Sequence, residues 1–254
     1  MYNSSKFEEF MDVFVKVIKS VLKQDCESPN TKRTIHFIVL VFKKITFHEN
    51  EIEQKRLQQV VQNDLNGTID DSNEAETMEE DVEDDNTIVD YRYVSPISWV
   101  DFFIKNSLVI FLKAKDINVR HNTVVLLKET LEGLDEIDEN TSSALNNSLS
   151  DAAFNKDNKV RAWAVLALEK IQSLGNKAQN AMNFLMIADP DPLVRLCALK
   201  VIEVNENTLE NILRSTRSQD VLLRKAAYEK IVNYCKLKNF PTEDRYNLLM
   251  DGTM

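Results

Sequence analysis

The stretch DPDPLVRLCALKVI, residues 189–202, opens on an Asp-Pro turn and runs into a helix whose first turn carries Val194-Arg195. Its pattern recurs. Asp191-Pro192-Leu193-Val194-Arg195 is matched by Asp116-Ile117-Asn118-Val119-Arg120, Asp157-Asn158-Lys159-Val160-Arg161 and Asp220-Val221-Leu222-Leu223-Arg224. These are four copies of Asp-x-x-[Val/Leu]-Arg, with Arg-to-Arg spacings of 41, 34 and 29. The residues after each Arg agree too. Three on are Thr123, Ala164, Ala198 and Ala227; four on are Val124, Val165, Leu199 and Tyr228; seven on are Leu127, Leu168, Ile202 and Ile231. With the apolar residue before Arg, this is the buried stripe of an amphipathic helix. The small residue admits a neighbouring helix closely. The Asp stands where a carboxylate caps free backbone N–H groups and opposes the helix dipole.

A unit of about 30–45 residues with one such helix cannot bury its face alone, whereas stacked units can. The pattern resembles HEAT repeats, whose second helix typically opens with Asp-x-x-Val-Arg. The expected fold is all-α: an α-solenoid of antiparallel helix pairs stacked into a curved arch. Segments 97–112, 141–154, 176–188 and 207–216 are the expected partner helices. Three regions follow. Residues 1–62 form N-terminal helical repeats: a stripe from Phe7 to Val21, a second helix over 31–47 and a more polar third over 49–62. Residues 63–94 form an acidic loop, disordered or ordering against a partner. Residues 95–254 form at least four HEAT repeats without a clear C-terminal cap, as in a fragment or a reduced homologue.

Composition narrows the function. Four glycines and five prolines in 254 residues argue against an all-β protein. Three scattered cysteines, Cys26, Cys197 and Cys235, make no disulfide framework and read as small packing residues in a reducing compartment. No secretory signal opens the chain, and the longest apolar run, 35–42, is about half the ~20 residues a membrane span needs. The net charge of −10 comes from one place: residues 70–90 hold eleven acids and no base, and without them 31 bases face 30 acids. That run reads as a solvated loop or as a nucleic-acid mimic laid over a basic groove.

No catalytic constellation stands out, and no cofactor or small-molecule substrate is expected. The glycines cradle no phosphate. His36, His48 and His121 lack metal-ligand spacing, and His36 reads as a core histidine. The helical-repeat enzyme deoxyhypusine hydroxylase carries several His-Glu pairs as iron ligands; here there is one, His48-Glu49, so that reading fails. Trp99 and Trp163 read as packing residues. The repeat arginines Arg120, Arg161 and Arg195 are expected to bond the Asp of their own or the next repeat, forming a ladder. Two segments are basic: 31–48, with Lys32, Arg33, Lys43 and Lys44 and no acid, and 211–238, with seven bases including Arg214, Arg217, Arg224, Lys225 and Lys230 against two acids. Such rows neutralise phosphates without reading sequence, or are ordinary solvated faces.

Residues 194–240, VRLCALKVIEVNENTLENILRSTRSQDVLLRKAAYEKIVNYCKLKNF, carry a closer likeness. Thr208-Leu209-x-x-Ile212, the turn Thr216-Arg217 and the helix Leu223-Arg224-Lys225-x-Ala227-Tyr228 resemble the CAP-G family, the non-SMC HEAT-repeat subunits of condensin. Lys159-Val160-Arg161-Ala162-x-Ala164-Val165-x-Ala167-Leu168 fits the same family. The resemblance implies a non-enzymatic subunit that binds the kleisin subunit (CAP-H type), reaches other condensin subunits through it, and holds duplex DNA sequence-independently on a basic concave surface during mitotic chromosome condensation. It implies location in the nucleus and on chromosomes, with a cytoplasmic pool, and no membrane partner. The DNA-binding candidates it selects are Lys32, Arg33, Lys43, Lys44, Arg214, Arg217, Arg224 and Lys225. The alternative is a general HEAT scaffold of the transport or phosphatase-regulator type, with its basic residues scattered.

Overall fold

The computed structural model describes residues 4–67, 98–134, 137–174, 176–236, 238 and 240–252. Among them there is no strand, and the chain is an α-solenoid as expected. The elements are α1 (Ser4–Leu22), α2 (Pro29–Gly67), α3 (Trp99–Phe103), α4 (Val109–Phe111), α5 (Ile117–Gly133), α6 (Glu139–Ala152), α7 (Asn158–Leu168), α8 (Asn176–Ala188), α9 (Pro192–Val201), α10 (Glu206–Ser215), α11 (Val221–Tyr234) and α12 (Thr242–Gly252). A π-helical turn, Ile104–Leu108, joins α3 to α4. There the Asn106 side-chain amide donates to the Phe102 carbonyl (2.8 Å), taking the acceptor that an α-helical N–H would use.

The four Asp-x-x-[Val/Leu]-Arg helices are α5, α7, α9 and α11. With α2 they form one row in the order α2, α5, α7, α9, α11, and α6, α8 and α10 form the second layer behind α7, α9 and α11. Each Asp caps its helix as the sequence predicts. Asp116 accepts from the Asn118 N–H, Asp191 from Leu193 and Asp220 from Leu222, each at 2.8 Å, and Asp157 from Val160 at 3.0 Å. The stripe positions are the core: Val124, Leu127, Ala164, Val165, Leu168, Ala198, Leu199, Ala227 and Ile231 are all buried. At the N-terminal end, Phe14 of α1 and Phe103 of α3 meet the ring of Phe42 at centroid distances of 5.9 and 6.0 Å, and Trp99 stacks on Phe103 at 5.1 Å.

Two expectations need correcting here. The helices placed at 31–47 and 49–62 are one continuous helix, α2, which also runs through residues 63–67 of the expected acidic loop. No Gly or Pro interrupts residues 30–66, and a fall in hydrophobicity at His48 marks where the helix leaves the core, not where it ends. The rest of the acidic segment, 68–94, lies outside the described residues. His36 is not a core histidine: it follows buried Ile35 by one residue, 100° round the helix, and its side chain is 67% exposed with Nδ1 3.6 Å from Glu129.

Candidate nucleic-acid interface

The turn before each row helix is built by the repeat arginine. In every copy one terminal nitrogen of the guanidinium donates to the two carbonyls six and five residues earlier: Arg120 to Ala114 and Lys115, Arg161 to Asn155 and Lys156, Arg195 to Asp189 and Pro190, Arg224 to Ser218 and Gln219, at 2.7–3.2 Å. These carbonyls follow a helix end and have no helical partner, so a planar, always-charged donor fork satisfies both. The expected ladder is therefore corrected. The capping Asp is occupied by its own helix N-terminus, and the arginine's first partner is the turn.

One rung of carboxylate does exist. Arg161 reaches from α7 to Asp189, before α9, and makes a two-pronged pair at 2.8 and 2.8 Å. The Asp189 side chain is only 2% exposed. Its frame position, two residues before the cap, holds Ala114, Asn155, Asp189 and Ser218 in the four copies. Only one copy has an acid there, so among the described residues only one repeat arginine meets one.

The candidate bases fall into two groups. Arg214 ends α10, Arg217 lies in the following turn, and Arg224 and Lys225 open the helix after it, so four candidates gather at one junction. Arg214, Arg217 and Lys225 are exposed; Lys225 stands 3.8 Å from Glu229 one helical turn on. Arg224 is half-buried, its Nη1 held by the turn. Lys32, Arg33, Lys43 and Lys44 all lie on α2, at the other end of the row. Lys32 pairs with Glu27 at 3.5 Å, Lys44 sits 5.3 Å from the Phe47 ring, and the Lys43 stem lies across Gly133 of α5, where a side chain would collide with it. Helices α5, α7 and α9 separate the two groups, about 35 Å along the row at 8–10 Å per helix.

Lys230 leaves the basic segment altogether. It is 8% exposed, donates to the Lys200 carbonyl at the end of α9 (2.7 Å) and lies 5.7 Å from the Tyr234 ring; burial pushes its pKa down to about 8. The signal was in the frame. Six residues after the repeat Arg stand Leu126, Ala167, Val201 and Lys230, and the first three are buried.

Thr208 and Ile212, which carried part of the resemblance, are structural. Thr208 closes a capping box with Asn205, and Ile212 is buried. Both tryptophans pack half-buried: Trp163 faces His121 edge-on at 6.4 Å with Lys128 5.9 Å from its ring. Burial lowers the His121 pKa and raises that of the Cys197 thiol. Among the described residues no group of His, Cys, Asp and Glu could hold a metal ion, and no helix is long and apolar enough to cross a membrane.

No family model matches the chain. It is 31% identical over 125 residues to condensin complex subunit 3 of Schizosaccharomyces pombe, covering 48% of this chain and 14% of that protein. It is 29% identical over 156 residues to condensin complex subunit 3 of Saccharomyces cerevisiae, covering 56% and 15%. The chain thus spans about one seventh of the length of these curated relatives. Its fold superposes with a TM-score of 0.64 on a chain of the crystal structure of the S. pombe condensin Cnd3-Cnd2 subcomplex, at 24% identity, over 96% of this chain and 26% of that one. Over the part it spans, the chain is similar in sequence to condensin complex subunit 3 of two yeasts, and its fold follows that of a chain of the Cnd3-Cnd2 subcomplex.

Proposed function

We propose that the chain is a non-enzymatic HEAT-repeat element of a condensin: it binds a kleisin-type subunit, joins the other condensin subunits through it, and contacts duplex DNA without reading sequence. The nucleus and chromosomes, with a cytoplasmic pool, are the corresponding locations, and chromosome condensation in mitosis the corresponding process. The observation that carries the reading is the similarity to two condensin subunits 3, with the whole described solenoid following a chain of the Cnd3-Cnd2 subcomplex. The DNA contact belongs first to the α10–α11 junction. Arg214, Arg217 and Lys225 are exposed around one turn there, positioned by Arg224 from behind. Charges so placed meet phosphates and release counterions, which makes binding steeply salt-dependent.

A labelled duplex titrated over a salt series, with and without a kleisin fragment, tests this. Reversing Arg214, Arg217 and Lys225 to Glu should abolish binding and flatten the salt slope. A slope unchanged by the reversals refutes the assignment of the junction. No duplex binding with kleisin bound would leave the general protein-binding scaffold as the function of this segment.

A further inference from the structure

Helix α2 has two opposite faces in its first half. Thr31, Ile35, Ile38, Val39 and Phe42 are buried against α1, α3 and α5. Turned away from them, at i, i+4, i+7, i+11 and i+14, are Arg33, Phe37, Leu40, Lys44 and Phe47. The three apolar members are 57%, 49% and 57% exposed. This stripe is about 21 Å long at 1.5 Å per residue. Lys32 and Lys43 flank it, and from Pro29 to His48 the helix carries no acid. Of the carboxylates that neighbouring elements bring near, Glu27 is engaged by Lys32 and Lys159, and Glu129 of α5 stands at the margin, 3.6 Å from His36.

Bases alone would suit phosphates. Three large apolar side chains among them do not, because duplex contacts through phosphates leave such groups uncovered. A second copy of the face is disfavoured by charge, since it would set Arg33, Lys43 and Lys44 against their own kind. We infer that this face of α2 docks an acidic amphipathic helix of a protein partner, with apolar residues on Phe37, Leu40 and Phe47 and carboxylates on Arg33, Lys43 and Lys44. Recognition of an amphipathic helix by an apolar stripe with a charged rim is an established mode of peptide binding. The cation over the Phe47 ring, Lys44, helps hold that anchor in place. The inference stands apart from the DNA contact at the α10–α11 junction.

The probe is a fluorescent designed peptide of about 18 residues, five helical turns, with Leu and Phe on one face and Glu on the other. Its anisotropy is followed on the full chain beside a scrambled peptide of equal composition and a duplex of about two helical turns. The ordered peptide should bind at least about tenfold more tightly than the scrambled one, and F37S/L40S and R33E/K44E should each weaken it about tenfold. The substituted side chains are exposed, so an unchanged melting temperature verifies the fold. Duplex affinity should be untouched by F37S/L40S, and peptide affinity untouched by R214E/R217E/K225E. Equal binding of ordered and scrambled peptides, no peptide binding up to about 100 µM (near −5.5 kcal/mol), or indifference to F37S/L40S overturns the inference. A duplex weakened by F37S/L40S as much as the peptide overturns it in favour of nucleic acid.

Discussion

Between α7 and α9 the row is crossed by Arg161 and Asp189, a buried two-pronged ion pair. Between α9 and α11 the crossing is Lys230 on the Lys200 carbonyl, a buried ammonium donating to a neutral acceptor. Both junctions use the same repeat frame, the same Asp cap and the same arginine on the same two carbonyls. The frame therefore determines how each helix starts, while single substitutions within it determine what joins one helix to the next.

The largest expected effect breaks the first junction. Asp189→Ala leaves Arg161 without its buried counter-charge and should cost about 3 kcal/mol of unfolding free energy, read by urea denaturation. The double variant R161M/D189L, which removes both charges but also strands the Asn155 and Lys156 carbonyls, should recover only part of that loss; equal losses would show that the turn bonds of Arg161, not the pair, carry the energy.

The second junction should respond to pH in the opposite sense from an ordinary paired lysine. The folded pKa of Lys230 is pushed down to about 8 from 10.5, so between those values the unfolded chain binds more protons and stability rises with pH. At about 1.4 kcal/mol per unit the rise approaches about 3 kcal/mol. Lys230→Met, which keeps the stem and leaves the Lys200 carbonyl without its donor, should gain about 2 kcal/mol at pH 7 and flatten the profile from pH 8 to 10.5 in denaturation measured across pH. A steady profile in the parent protein would show that water reaches the ammonium.

The smallest effects should be the same at both junctions. Asp191→Ala and Asp220→Ala each remove a helix cap worth about 1 kcal/mol. A clearly larger loss at Asp191 would measure its added contact from Asn158, which crosses from α7.

Much of this fold was legible because its strongest determinants are local. An Asp followed three and four residues later by an apolar residue and an Arg specifies a cap, a core position and a turn clamp together, and all four copies do so. The break assigned at His48 had no such determinant, only a change in polarity, and a helix can outrun its core. His36 was misplaced because an apolar run is not a buried run: a helix turns 100° at each residue. Lys230 counts as surface charge when net charge is summed along the chain, whereas the repeat frame puts that position inside. The two groups of bases are separate in sequence. Their separation in space follows from the stacking order, which local patterns do not state. The acidic run, read as a solvated loop or as a mimic laid over a basic groove, falls on residues outside those described.

A solenoid whose helix pairs touch mainly their neighbours responds to a pull like a stack of hinges in series. The pair Arg161–Asp189 then acts as a stiff hinge, since opening it separates two desolvated charges at once. The α9–α11 hinge has a lysine on a carbonyl and is the more compliant. Of these two hinges, a stretch of the row should open first the one beside the α10–α11 junction, which is where the exposed arginines stand.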